Sequence, residues 1–181
     1  NIENAGKILM GKAYTDENWS VLGGIWKSIS RNSWEAPQTW AGYNFSQFRN
    51  TFGGVDRVDY LGGATFVTGE NREYRQGVSL GNYPTIWLWD EIEGNFEERV
   101  TSDPLFMHEY GHTFDSQWFG PLYLPVIGIP SASGAEWTEK RANRYAERYF
   151  NQLYGVVWSP FLTFFPLHYE KIGRASRREG G

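Results

Sequence analysis

The sequence predicts an α+β fold with a helical N-terminal part to about residue 50, a small antiparallel or mixed sheet over about 56–90, and two further helices over about 103–119 and 133–153. Three observations predict it: helical spacing of apolar residues before residue 50, short strand-like runs divided by turn residues in the middle, and helical spacing with capping signals from Asp103 onward. At 181 residues and 40% hydrophobic content the chain is long enough for one sizeable core and short for two, and nothing in it repeats, so a single domain over 1–181 is expected.

Trp19, Leu22, Ile25, Trp26 and Ile29 recur at helical spacing, Pro37 breaks that run, and a second helix passes through Trp40, Tyr43 and Phe48 before Gly53-Gly54. Strand-like runs follow: Arg57 to Tyr60 continuing through Ala64 to Thr68, then Gly77 to Leu80, then Thr85 to Trp89. Asp103 is a good N-cap, Pro104 suits the first helical position, and Gly120-Pro121 ends the helix. Leu105, His108, His112 and Asp115 share one face of it, and Met107, Tyr110, Gly111, Phe114 and Trp118 the other. A helix apolar on both sides is a buried one. Gly111 costs about 1 kcal/mol against Ala inside a helix, which predicts another backbone passing close beside it. Gly120 to Ser133, with three Pro and two Gly among apolar residues, reads as an ordered apolar loop able to wall a cleft. Ser133-Gly134-Ala135-Glu136 reads as a capping box, and from there Glu139, Ala142, Asn143, Ala146, Phe150 and Leu153 form the buried stripe of the last helix.

His108-Glu109-Tyr110-Gly111-His112 asks for a specific chemistry. Positions i and i+4 of a helix lie one above the other, so both imidazoles can hold one metal ion while Glu109 reaches a water bound to it. The string resembles the zincin arrangement, which implies a zincin-like fold and one Zn2+ per chain. Burying two imidazoles and a carboxylate within five residues costs several kcal/mol unless something pairs them, and a metal does. Catalytic zinc takes three protein ligands and an open position. Glu139 opens the buried stripe of the last helix, where a lone carboxylate needs a cation, and is expected as the third ligand. Glu136, one turn earlier, is the alternative, although the capping box accounts for it without a metal; His168 is the one remaining histidine. Asn143 is placed to support a ligand histidine through a hydrogen bond, and Asp115 follows His112 too closely to join it on the same ion, leaving it a supporting or structural hydrogen bond.

His108-Glu109-x-x-His112 followed by Glu139-x-x-x-Asn143 resembles the gluzincin pattern, with Asn where the family usually has Asp. The resemblance implies a zinc metallopeptidase with Glu109 as general base and a downstream His or Tyr hydrogen-bonding the oxyanion; His168 and Tyr169 are the candidates, with Tyr145 and Tyr149 as competitors. The phrases VDYLGGATFVTG, GVSLGNYPTIWL, HEYGHTFDSQWFGPLYLPVIGIPS and WTEKRANRYAERYF also resemble the C-terminal domains that follow RHS repeats in bacterial polymorphic toxin-like proteins, over roughly residues 34–150. That likeness implies a peptidase carried as the tip of a larger exported or surface-delivered protein, with a polypeptide substrate and a cognate immunity protein as partners. In zincin-like folds the strand before the metal helix commonly forms a rim against which extended substrate pairs, which points to Thr85 to Trp89; a packed strand with no substrate role fits the same residues.

Composition narrows the alternatives. A net charge of −4 gives no support to a nucleic-acid partner, and the basic tail Arg174 to Arg178 reads as a solvated end. No apolar run approaches 18 residues, so no membrane span is expected. With no cysteine there is neither a disulfide nor a thiolate zinc site. The start at Asn1 shows no basic n-region or apolar h-region, as an excised fragment of a longer protein would. Two other classes fit the same residues: a catalytically inactive domain that zinc stabilises, and a module that uses its 9 Trp to bind glycan or peptide, with the histidines merely buried.

Overall fold

The computed structural model describes residues 1–16, 18 and 20–157, so Trp19, His168, Tyr169 and the basic tail lie outside the described residues. Helices α1 (Ile2–Met10), α2 (Val21–Asn32) and α3 (Ala36–Thr51) precede strands β1 (Arg57–Leu61), β2 (Ala64–Glu70), β3 (Gln76–Leu80) and β4 (Tyr83–Leu88). Then come α4 (Phe96–Ser102), α5 (Pro104–Phe119), an irregular helical stretch ending in α6 (Ile129–Ala132), and α7 (Glu136–Tyr154). The first strand-like run is two strands, because Gly62 and Gly63 adopt φ of 56° and 80° and turn the chain back on itself. The helical run does break before α3, and Pro37 lies in the first turn of the new helix, where its missing N–H has no helical acceptor.

The sheet is mixed, in the order β1-β2-β4-β3, with the parallel β2–β4 pair at its centre and antiparallel strands outside. Thr85 to Trp89 is therefore not a rim. β4 is paired on both sides, and the free edge beside α5 belongs to β3. Both faces of the sheet are covered. Phe66, Ile86 and Leu88 pack with Phe106, Met107 and Tyr110 of α5 and Ala146 and Phe150 of α7, whereas Val58, Val67 and Tyr83 pack with Ile8 of α1 on the opposite face.

α2 is helical as its spacing predicts, but it is turned inside out. Val21 and Trp26 are 80% and 58% exposed, with Leu22, Ile25 and Ile29 also exposed, while Lys27, Ser30 and Arg31 are buried. Specific partners, most of them remote in sequence, explain the inversion: Arg31 donates to the carbonyls of Tyr14 and Gly63, and Ser30 donates to Glu35, whose other oxygen accepts from Ser116 of α5 at 3.2 Å. These charge-assisted hydrogen bonds fix which side faces inward, since the same groups buried without partners would cost several kcal/mol.

The capping box at Ser133 does not form. The chain makes α6 first, so Ser133 Oγ donates back to the Ile129 carbonyl at 2.8 Å, and α7 begins at Glu136 with no side-chain cap. Leu153, expected on the buried stripe of α7, is exposed near the end of the helix, where Tyr149 takes a buried position.

Candidate metal centre

α5 is held firmly at its start. Asp103 Oδ1 accepts from the Leu105 N–H at 3.0 Å, and the same carboxylate takes Nη2 of buried Arg75, on the β3 side, between its two oxygens and has Arg99 Nε at 3.3 Å. From that anchor almost every residue from Leu105 to Ser116 is buried. The close passage that Gly111 predicts is present: a Cβ at this position would overlap the carbonyl group of Ala142. α5 and α7 thus meet at backbone contact, which brings side chains far apart in sequence onto one point.

That point is where His108, His112 and Glu139 converge. One donor atom from each lies within 4.8 Å of the others, and the residues are 3%, 4% and 7% exposed. His108 Nδ1 donates to Asn143 Oδ1 at 2.8 Å, leaving the lone pair on Nε2, which lies 2.9 Å from Glu139 Oε2. Two acceptors that close need a proton or a cation between them. His112 Nε2 approaches the same carboxylate oxygen at 3.7 Å, so three donor atoms surround one position, which suits a metal and exceeds what one proton can bridge. Ligands about 2 Å from a tetrahedral zinc lie about 3.3 Å apart, and the two separations to Glu139 bracket that value. Residue types, burial and the two separations to Glu139 therefore suit a metal ion such as zinc.

The supporting contacts are specific. Glu139 Oε1, the oxygen turned from the histidines, accepts from Ser131 Oγ at 2.6 Å and Thr138 Oγ1 at 3.2 Å. Asp115 lies 3.8 Å from His112 Nδ1, beyond hydrogen-bond range, and is paired with Arg141 of α7. Glu136 stands apart from the cluster, 67% exposed along its side chain and paired with Lys140 at 2.7 Å. Burial pulls the His112 imidazolium down, but Asp115 and Glu139 carry its pKa up to about 10. Burial also raises the Glu139 carboxyl, and its close approach to the His108 and His112 imidazoles outweighs that, holding the group well below the usual carboxylate range.

Glu109 turns toward β3. Ser79 Oγ is 2.8 Å from Glu109 Oε2 and 2.8 Å from the Glu109 carbonyl oxygen, and the carboxyl group rests against Gly77. Burial pushes the Glu109 carboxyl above its ordinary pKa, with Glu139 adding to the rise and both histidines and Ser79 opposing it. These residues face a cleft of about 510 Å³, with β3 on one side and Tyr123, Leu124 and Ile129 of the irregular stretch on the other. That stretch walls the cleft, as its composition predicts. Tyr123 donates to the Ser79 carbonyl at 2.7 Å. The competing tyrosines are engaged elsewhere, Tyr149 with Asp16 at 2.9 Å and Tyr145 with Arg141 at 2.9 Å.

Ser79, Ser131 and Tyr123 were not legible as site residues. Each reaches the cluster through the fold alone, and the one available signal is that Tyr123 is the sole hydroxyl-bearing aromatic in the apolar loop after α5. No protein-family model, curated protein or solved structure matches the chain. Among the described residues no helix is long and apolar enough to cross a membrane.

Proposed function

We propose that the chain is a zinc-dependent peptidase with a gluzincin-type centre in a zincin-like fold. The observation that carries this reading is the convergence of His108, His112 and Glu139 within 4.8 Å at the wall of a cleft that Glu109 also lines. Bound zinc would supply Lewis-acid polarisation of the scissile carbonyl and a water of lowered pKa. Asn143 keeps the His108 lone pair on Nε2, and Ser131 and Thr138 keep Glu139 Oε2 turned to the histidines. With Glu109 Oε2 engaged by Ser79, Oε1 is the oxygen that accepts the proton from water and returns it to the departing amine nitrogen. The edge of β3 before Ser79, whose carbonyl Tyr123 takes, offers an extended polypeptide a strand to pair with, which satisfies its backbone groups without demanding a sequence. By its resemblance to the domains after RHS repeats, the chain would act as the effector tip of a larger exported bacterial protein, with a cognate immunity protein as its natural antagonist.

The test pairs wild type with Glu109→Gln. Elemental analysis should find one zinc per chain in both, and turnover on unfolded proteins or peptide libraries should fall roughly 100-fold to 10,000-fold in the variant. Unchanged turnover would assign the cleavage to another site. Full zinc with no turnover in either protein favours the second reading, a zinc that ties α5 to α7 without catalysis; the deep burial of all three ligand side chains is the observation that supports it.

A further inference from the structure

We infer that strand β3 is the seat of the general base: Ser79 is a positioning residue that holds the Glu109 carboxyl group, and Gly77 provides the space in which it lies. The inference rests on the peptidase reading and assigns roles to two residues outside the HExxH helix. Ser79 is 6% exposed, and its hydroxyl stands 2.8 Å from both Glu109 Oε2 and the Glu109 main-chain carbonyl. A hydroxyl has one proton for these two acceptors, and a charged carboxylate takes it in preference to a neutral carbonyl. Once Glu109 has taken a proton from water on Oε1, Oε2 is still a carbonyl-type oxygen that accepts from the Ser79 hydroxyl. One side chain thus holds the base on both sides of the transfer.

Gly77 stands two residues before Ser79 and faces the same side of β3. A Cβ there would overlap Cγ, Cδ and Oε1 of Glu109, so any other residue displaces the carboxyl group. Ser79 is itself fixed. It is paired in register with Pro84, next to the turn that Leu80 and Tyr83 close, and Tyr123 donates to its carbonyl at 2.7 Å. A glutamate side chain with three rotatable torsions is thereby reduced to one orientation, as proton transfer requires.

The experiment uses zinc-loaded wild type, Ser79→Ala and Gly77→Ala, each characterised for zinc content, melting temperature, kcat and KM, and by crystallography. Ser79→Ala is expected to lower kcat roughly tenfold to 100-fold with KM within about twofold and zinc unchanged, and Gly77→Ala to lower kcat at least as far. Loss of stability or zinc with normal kcat per bound zinc would make Ser79 merely structural and overturn the inference. Should wild type retain zinc and show no turnover, the peptidase reading fails while the crystallographic arm still decides this one. A Glu109 carboxyl group that leaves its wild-type position in both variants upholds the positioning role, and one that stays within about 0.5 Å refutes it.

Discussion

Replacing Gly111 by Ala sets two physical effects of opposite sign against each other. Helix propensity alone favours Ala over Gly by about 1 kcal/mol, so a helix judged by its own sequence should be stabilised. The packing against α7 says otherwise. The new Cβ would stand 2.7 Å from the Ala142 carbonyl carbon and 3.1 Å from its Cα, where ordinary contact begins near 3.4 Å, and it would overlap the carbonyl oxygen. Neither partner is a flexible side chain, so α5 and α7 must separate by on the order of 1 Å, which places the cost near 3 kcal/mol, the upper end for overpacking. The net loss is about 2 kcal/mol, or a melting temperature lower by about 4–8 °C in a domain of this size. His108 and His112 ride on one helix and Glu139 on the other, so the same separation should weaken zinc binding tenfold or more. Calorimetry of metal-free protein and competition with a chromophoric chelator measure the two effects separately. A Gly111→Ala protein that melts higher than wild type and binds zinc equally well would refute the claim that this backbone contact sets the ligand geometry.

Glu139→Ala should abolish zinc occupancy in elemental analysis while Glu136→Ala keeps it, since Glu136 is exposed and paired with Lys140; the reverse pattern would overturn the choice of third ligand. Chelation should lower the melting temperature clearly, because binding to the native state contributes roughly 4 kcal/mol at a thousandfold excess over Kd, and an unchanged melt after proven metal removal would show that zinc does not tie the helices together. Lys27 tests the inverted helix. Burial, with Arg31 beside it, brings its pKa from 10.5 down to about 8. The native state therefore gives up the proton first: below pH 8 the full cost of burying the charge is present, and stability recovers by about 3 kcal/mol as pH rises toward 10.5. Lys27→Met should be more stable than wild type at pH 7 in denaturant titrations, with the difference shrinking by pH 10, and a difference independent of pH would contradict the burial of the ammonium group.

Local chemistry made the centre legible. The HExxH spacing is a property of helical geometry, and Asp103-Pro104 marks the helix start whatever surrounds it. Glu139 was found because a carboxylate on an otherwise apolar stripe calls for a cation, and Asn143 because it follows one turn later; the fold brings both to the histidines. Gly111 was read as a close approach because its propensity cost needed a reason, and Ala142 is that reason.

Local spacing left open which surfaces meet. An apolar run such as Thr85 to Trp89 looks the same in the centre of a sheet as at its rim; strand order settles it, because β3 folds back along the outer side of β4 and takes the free edge. The amphipathic spacing of α2 marks two faces without saying which one turns inward, and hydrogen bonds from Arg31 to Tyr14 and Gly63, remote in sequence, bury the polar one. The seat of Glu109 is likewise non-local, since Gly77 and Ser79 lie about 30 residues upstream of it. Helical periodicity reports which residues share a face, and a serine carries no mark of the carboxylate it will hold until chain closure sets the two 2.8 Å apart.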